Sequence, residues 1–262
     1  MNLLDELIRI CRAHVLAASD GVVIEEPYAP FLPELGRPGS WNRVLVFGEA
    51  QNLSSTYDAY VRRLLASPAN QRILRLYWEP EVHVRPWDDG TLKLAMSAAF
   101  DSEPERFAVS NAVLWSTVKG PQHNETPPGA LRNKSAEVWQ ELLPILDPAH
   151  VVTTGTVARN LIAAIKAELG APWVHVPLCS ASPRYLAGQA AKAVESELLR
   201  QFPSVADVVR AHPENVAKYR RNKIYFACRA VGAVKKLSNL GIRPTAGVSP
   251  GEEIVPPARP PW

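Results

Sequence analysis

The chain has 262 residues, of which 47% are hydrophobic and 21% charged, so it can bury a substantial core and has the composition of a globular protein. Its 29 Lys and Arg residues against 26 Asp and Glu residues give a net charge of +3, a slight preference for anionic partners. Three scattered cysteines do not form a disulfide framework, and no Cys-x-x-Cys pair indicates zinc or an iron–sulfur cluster. We therefore expect a globular protein without a structural metal.

The sequence shows neither a signal-peptide pattern in its first residues nor an apolar run long enough for a transmembrane helix. We expect a cytoplasmic, soluble protein that acts as a monomer. A single domain is predicted over residues 1–241, with an insertion over 80–105 and a carboxyl-terminal helix over 212–241. The Pro-rich tail, 242–262, holds six prolines in 21 residues and is predicted to form neither a helix nor a central strand.

The first third of the chain predicts a helix, a buried strand and a second helix. Apolar residues recur at helical spacing near the start: Leu4, Leu7, Ile8, Cys11 and Val15. The β-branched run from Arg43 to Phe47 is typical of a buried strand in a parallel sheet. We expect residues 48–52 to form a loop and a helix to begin near Ser54 or Ser55.

The middle of the chain predicts strands that alternate with helices. Prolines, a glycine and charged residues without a regular period predict one hairpin in the insertion. Strands are then predicted over 107–115, 151–154 and 173–178. Helices are predicted around Trp139, from Val157 to a stop at Gly170, and through residues 186–198. In the carboxyl-terminal helix, Lys218, Arg220, Arg221, Lys223, Lys235 and Lys236 are expected to face outward.

This alternation predicts the fold class: a three-layer α/β/α sandwich around a central, mainly parallel sheet of about four strands. Ligands of such sheets bind at the carboxyl ends of the strands. We therefore expect the functional residues at 48–52, 111–119, 155 and 179–185.

Familiar cofactor and catalytic motifs are absent from the sequence. The segment after the first strand is neither a dinucleotide-binding Gly-x-Gly-x-x-Gly nor a phosphate-binding P-loop. The six histidines form no zinc-binding pair, and no Gly-x-Ser-x-Gly elbow indicates a serine hydrolase. The sequence therefore predicts chemistry that needs no cofactor and no metal.

Three segments carry a resemblance to a known family: Gly48-Glu49-Ala50 after the first strand, Ser110 to Leu114 on the second, and Ser180-Ala181-Ser182-Pro183 before the last core helix. Together they resemble the signature segments of the uracil-DNA glycosylase superfamily, over roughly residues 40–200. The stretch from Asn111 to Trp139 looks closest to members without an iron–sulfur cluster. The resemblance implies a DNA-repair hydrolase that flips uracil out of DNA and cleaves its N-glycosidic bond.

The resemblance also implies roles for the catalytic residues. Ala50 stands where the best-known family has a water-activating aspartate, so Glu49, with Gln51 as the fallback, is expected to hold the water. The structural alternative for Glu49 is to cap the next helix or to pair with an arginine. Ser180 stands where many members have an electrophilic histidine. Backbone N–H groups and Ser180 are then expected to stabilise the leaving uracil.

Recognition of the base is expected at Asn111, because a carboxamide matches the O4 and N3–H edge of uracil and not that of cytosine. We expect this side chain at a solvent-accessible strand end; the structural alternative is a bond to a neighbouring loop. Gly48 and Ala50 are expected to line the same pocket. Phe100 resembles the phenylalanine that stacks on the flipped base, with an ordinary core aromatic as the alternative.

DNA contacts are expected in two loops. Ser182 as a helix cap and Pro183 at the first helical position leave N–H groups for a phosphate. The resemblance also implies a wedge from this loop that keeps the base out of the stack, and here Arg184, Tyr185 or Leu186 would provide it. The second loop contributes Lys119, His123 and Asn124.

Two other functions stay open at this point. The missing histidine and aspartate are compatible with a catalytically inactive nucleic-acid-binding module of the same fold. A hydrolase of the same α/β class acting on a small nucleoside is the third possibility.

Overall fold

The computed structural model describes residues 3–16, 27, 41–53, 90–103, 106–118 and 126–239. The helix expected after Ser54 and the Pro-rich tail lie outside these residues. In chain order the described elements are α1 (Leu3–Ala13), β1 (Val44–Leu53), α2 (Thr91–Phe100), β2 (Ala108–Val118), α3 (Gly129–Leu146), β3 (His150–Thr154), α4 (Thr156–Leu169), β4 (Val174–Leu178), α5 (Pro183–Ala190), α6 (Glu195–Gln201), α7 (Pro203–Ala211), a 3-10 helix (Pro213–Val216) and α8 (Arg220–Asn239).

The four described strands form one parallel sheet in the order β2-β1-β3-β4. Helices cover both of its faces, which confirms the predicted α/β sandwich. Parallel strands need long crossovers, and here α3 and α4 provide two of them. None of the helices in the described ranges combines the length and the apolar character needed to cross a membrane.

Each face of the sheet has its own hydrophobic core. On one face, Leu45 and Phe47 of β1 pack with α1, α3 and α4, and Trp139 meets the Phe47 ring edge-on at 4.6 Å between centroids. On the other face, Val44 and Val46 pack with α2, α7 and α8. Successive strand residues alternate between faces, so the two cores are separated by the sheet itself.

The insertion contains a helix in its described part, so the expectation of a hairpin is wrong from Gly90 onward; residues 79–89 lie outside the described part. The sequence of α2, Thr91 to Phe100, is apolar almost all round, with Leu94, Ala95 and Met96 buried. A helix that is buried on most sides has no amphipathic period, so the sequence of α2 gives no helical pattern from which to predict it.

Strand β1 is longer than expected, and the predicted loop at residues 48–52 is wrong. The chain stays extended because it keeps pairing with β2: Gly48 lies opposite Asn111, Ala50 opposite Val113 and Leu53 opposite Val118. Hydrogen bonds to a neighbouring strand thus hold a polar segment in a strand that local propensity alone would leave as a loop.

Two predicted helices are interrupted in the structure. The helix over 186–198 is two helices, α5 and α6, because Val194 is 65% exposed and does not continue the buried face of Leu186 and Ala190. The carboxyl-terminal helix begins at Arg220 and not at residue 212, after a 3-10 turn and the left-handed backbone of Tyr219, whose φ is 55°.

Lys223 corrects the expected outward face of this last helix. It is only 2% exposed and donates from Nζ to the carbonyl oxygen of Asn215 at 2.8 Å. A buried ammonium group requires hydrogen-bond acceptors, and the 3-10 turn before α8 supplies this one. Lys223 therefore fastens α8 to the segment that precedes it.

Candidate active site

The strand register brings the three signature segments to one edge of the sheet. Gly48 of β1 lies opposite Asn111 of β2, and Thr154 of β3 lies opposite Leu178 of β4. Because Phe47 pairs with Thr153, Gly48 and Thr154 are at the same height. Gly48, Asn111, Thr154 and Leu178 thus form one row across the sheet. This row lies at the carboxyl ends of β3 and β4, and the segment with Ser180 follows β4 directly.

Asn111 lies in this row but is not at a solvent-accessible strand end, which corrects that expectation. It is the fourth residue of an 11-residue strand and is 5% exposed. Alternation along β2 places it on the same face as Val109, which packs against the core formed with α2 and α8. Its register partner on β1 is Gly48, which contributes no side chain there.

Strand β2 is held in place beyond Asn111 by bonds from α3. The register between β1 and β2 shifts between Ala50 and Asn52, so the ladder is interrupted there. Ser135 Oγ accepts from the Leu114 N–H at 3.0 Å, and Trp139 Nε1 donates to the Ala112 carbonyl at 3.0 Å. These bonds satisfy backbone groups near the irregularity and fix the strand that carries Asn111.

Glu49 binds the amino terminus of α4. Its Oε1 accepts from the Val157 N–H at 3.1 Å, one of the N–H groups that lack a partner within the helix. Gly155, at the start of that helix, has φ 89° and ψ 172°, and a Cβ on it would collide with the Glu49 carboxylate. The close approach of Glu49 thus depends on glycine at position 155.

Glu49 and Asn111 share the edge but belong to opposite faces of the sheet. Glu49 follows Leu45 and Phe47 at alternate positions, on the side of α3 and α4. Alternation from Val109 assigns Asn111 to the side of α2 and α8. The structure therefore brings the two residues to the same end of the sheet without placing them side by side.

The segment between β4 and α5 lies on the same face as Asn111, since Cys179 and Ala181 pack against that core. Ser180 Oγ accepts from the Ser182 N–H at 3.2 Å. The predicted helix start is present, with Ser182 as the cap residue and Pro183 at the first turn. The Ser182 side chain makes no capping bond, so it does not occupy the N–H groups of this helix end.

The three candidate wedge residues differ in exposure. Arg184 is exposed and Tyr185 is 50% exposed. Leu186 is 1% exposed and packs in the core, so this burial removes it from the candidates. Arg184 and Tyr185 are the two that project from the surface.

A thiol and a cation flank this loop. Burial raises the pKa of the Cys179 thiol, and the positive charge of Arg229 on α8 partly opposes that rise. The side chain is thus a neutral thiol at pH 7. The effect of Arg229 also shows that α8 places a cation near the end of β4.

Phe100 lies at the opposite, amino edge of the sheet. Its ring meets His150, the first residue of β3, at 5.4 Å and Phe107, just before β2, at 6.1 Å between centroids. Asn111 is four residues along the chain from Phe107, about 13 Å at the rise of a strand. The structure does not bring Phe100 to Asn111, and the contacts of Phe100 are those of a core aromatic.

Some predicted residues are outside what the structure describes. Lys119, His123 and Asn124 lie in undescribed segments, as do the side chains of Gln51 and Pro183. Ala50 is described, half-buried, and packs against the core of the α3 face. Within the described ranges, no group of three or more His, Cys, Asp and Glu residues is arranged to hold a metal ion.

Thr154, which sequence reasoning missed, and Gly155, whose contact it did not predict, contribute to the edge. Thr154 is buried and donates from Oγ1 to the Phe47 carbonyl at 3.0 Å, which ties β3 to β1 beside the row. Gly155 is at one of the strand ends where the sequence predicts functional residues, but the sequence assigns it no role. A glycine between a strand and a helix is a signal of close approach, but the sequence does not say which group approaches.

Comparison with known proteins does not assign the chain to a family. No protein-family model matches the chain, and a search of curated proteins also finds no match.

Proposed function

We propose that this protein is a DNA-repair enzyme of base excision, a uracil-DNA glycosylase that hydrolyses the N-glycosidic bond of deoxyuridine and leaves an abasic site. One observation carries the proposal: the three segments that resemble the glycosylase signatures converge on the carboxyl edge of the sheet. Gly48 pairs with Asn111 across β1 and β2, and the Gly155 N–H donates to the carbonyl of Leu178, two residues before Ser180, at 3.2 Å.

The proposed reaction needs only water as a co-reactant. The bond between C1′ and the uracil nitrogen breaks, its electron pair leaves with uracil, and water adds its hydroxyl to C1′. The water's proton ends on the base. Stabilising the departing anion is the main electrostatic task, and one well-placed donor contributes about 2.7–4 kcal/mol to such a step.

Four of the predicted site residues have a proposed part in that reaction. Asn111 reads the uracil edge from a buried position, where an amide discriminates strongly because an unmatched partner would be left unsatisfied. Ser180 and backbone N–H groups of its loop stabilise the leaving uracil. Glu49 or Gln51 positions the water.

The DNA itself is proposed to meet the start of α5. The N–H groups there, together with the helix dipole, attract a phosphate. Arg184 and Tyr185 project beside them and fill the space left by the flipped nucleotide. We propose that the protein works as a cytoplasmic monomer without a cofactor.

A second candidate function is supported by the contact of Glu49. Its carboxylate caps α4 through the Val157 N–H, on the face of the sheet opposite Asn111. A carboxylate with a structural role, and a serine in place of the electrophilic histidine, fit a catalytically inactive nucleic-acid-binding module. The two candidates differ in turnover and not in DNA affinity.

An excision assay separates the candidates. Protein from a host without its own uracil glycosylase is incubated with matched oligonucleotides that differ only in uracil or thymine, as single strands and as duplexes. Alkali then cuts any abasic site. Cleavage of the uracil strand alone supports the proposal, and its absence with retained binding supports the inactive module. Release of uracil from free deoxyuridine but not from DNA would indicate a nucleoside hydrolase instead.

A further inference from the structure

The acidic and basic residues of this protein are unevenly distributed along the chain. Residues 174–194, which run from β4 through α5, and residues 220–239, which form α8, contain eight Lys and Arg residues and no Asp or Glu. The other 21 Lys and Arg residues therefore share the chain with all 26 acidic residues. The small positive net charge arises from these two segments alone.

The two segments form one continuous part of the molecule. Helix α8 packs against α5 and against β4. The positive charge of Arg229 on α8 acts on Cys179, the first residue after β4. Arg229 of α8 and Arg184, in the first turn of α5, are thus presented near the end of β4.

Three of the six cations of α8 have structural contacts. Arg220 pairs with Glu195 of α6 at 2.8 Å, and Lys223 is buried against the carbonyl of Asn215. Lys235 lies 6.0 Å from the centre of the Phe202 ring. These three hold α8 in position.

The other three cations line one exposed stripe of α8, which also carries a half-buried tyrosine. The stripe consists of Arg221, Tyr225, Arg229 and Lys236. Spacings of four, four and seven residues place these side chains on one side of a helix. The part of the chain that the structure describes offers Arg221, Arg229 and Lys236 no carboxylate within ion-pair distance.

The dimensions of this stripe fit a nucleic-acid backbone. Arg221 and Arg229 are separated by about 12 Å along the helix axis, and Arg229 and Lys236 by about 10 Å. A DNA strand presents one phosphate per 3.4 Å of its axis, so the three cations span several phosphates. An anionic membrane surface is disfavoured, because the apolar face of α8 is buried in the core and is not available for insertion.

We infer that the α8 stripe is a second DNA-binding surface, which holds the phosphate backbone beside the edge where the base is read. This inference deepens the proposed function and rests on it for the choice of DNA as the polyanion. The contacts carry no sequence information, so the stripe binds damaged and undamaged DNA alike.

The test compares two triple variants with the same net charge. One replaces the stripe, Arg221→Gln, Arg229→Gln and Lys236→Gln. The matched control, Arg9→Gln, Lys134→Gln and Arg210→Gln, removes three cations from α1, α3 and α7, each paired with an acid three residues away. Binding to an undamaged, fluorescently labelled 24-base-pair duplex is measured as salt is varied. Thermal unfolding confirms that both variants are folded.

The stripe variant is expected to lose at least about thirtyfold in affinity at 0.1 M salt, and its salt dependence should fall by nearly three in log–log slope. The control should change by less than about threefold, because each of its cations is paired with an acid on the same helix. Equal affinity of the two variants would overturn the inference. Binding of wild-type protein to vesicles with anionic lipid but not to the duplex would overturn it as well.

Failure of the proposed function gives a different result. Undamaged DNA contains no uracil, so this binding is independent of excision. A wild-type protein that releases no uracil, but whose duplex affinity falls in the stripe variant alone, would contradict the glycosylase proposal and support the stripe.

Discussion

The two edges of the sheet are built differently. At the amino edge, side-chain hydrogen bonds connect the loops to one another. The Arg43 guanidinium donates to the carboxylate of Asp147 at 2.6 Å and to the backbone carbonyl of Asp147 at 2.9 Å. The Asn42 side chain donates to Ser102 Oγ at 3.2 Å. The Phe100 ring packs against His150 at the same edge. At the carboxyl edge, the described side-chain bonds of Glu49 and Ser180 go to backbone N–H groups at or just before helix starts.

The difference follows from the direction of the chain. A helix that follows a parallel strand begins where that strand ends, so α4 and α5 direct their N–H groups and positive dipole ends to the carboxyl edge. Groups that can bind an anion accumulate there without any special sequence. The amino edge receives helix ends of the opposite polarity, and its side chains serve stability.

The largest expected effect is at Asn111. Asn111→Ala removes the amide proposed to read uracil, so kcat/KM for uracil DNA should fall at least about a hundredfold, roughly 2.7 kcal/mol. The measurement is single-turnover excision at a temperature where thermal unfolding shows the variant to be folded. Wild-type turnover in a folded Asn111→Ala protein would return this residue to a structural role.

The matched change at the amino edge is Phe100→Ala. It should lower stability by about 1.5–3 kcal/mol, since the aromatic contacts with His150 and Phe107 are lost. Excision by the folded fraction should be unchanged. Loss of excision activity in a folded Phe100→Ala protein would contradict the purely structural role assigned to the amino edge.

Gly155→Ala should be the most costly glycine substitution at the carboxyl edge. The backbone at φ 89° and ψ 172° is accessible almost only to glycine, and a Cβ would collide with Glu49. We expect a loss of about 1–3 kcal/mol in the free energy of unfolding. Gly188→Ala is the control: it lies in α5 with nothing within 4 Å of a Cβ, and should stabilise the protein by about 0.5–1 kcal/mol. Denaturant unfolding of both variants measures the difference.

Acid should destabilise the amino half of the sheet through two histidines. Burial lowers the pKa of His150, and burial, with the charges of Lys166 and Arg159, lowers the pKa of His175 to about 4. The unfolded chain binds these protons near pH 6.5, so the stability is fully present above pH 6.5 and is lost as the pH falls toward 4.

His175→Gln isolates one of these contributions. The wild-type loss through His175 is on the order of 2 kcal/mol at pH 4, reduced from the full shift for partial solvent contact. The variant should lose correspondingly less between pH 6.5 and pH 4 while His150 continues to titrate. Parallel curves of unfolding free energy against pH for both proteins would contradict the role of His175.

The smallest expected effect separates the two roles of Glu49. Glu49→Ala removes the acceptor of the Val157 N–H and should cost about 1 kcal/mol in stability, as loss of a helix cap does. Glu49→Gln keeps an acceptor oxygen and should leave stability nearly unchanged. If Glu49 also activates water, excision should collapse in both variants. Full excision activity in the Glu49→Gln variant would indicate that Gln51, and not Glu49, positions the attacking water.

The sequence predicted the sheet well because each strand contains a short apolar run and the strands are separated by helices. The runs that include Val44 to Phe47 and His150 to Thr154 are buried from end to end, and a buried strand of a parallel sheet has that composition. Helix α2 escaped prediction because burial on most sides removes the amphipathic period. The extension of β1 past Gly48 was not predicted because it depends on pairing with β2.

For the site, the sequence by itself determined the kinds of residues and the order in which they leave the strands. Only the tertiary structure decided where each side chain lies. It buried Asn111 in a strand, joined Glu49 to α4, left Arg184 and Tyr185 exposed and placed Phe100 at the far edge. The physical reason is that strand order, register and the alternation of faces relate residues far apart in sequence, and no local pattern contains those relations.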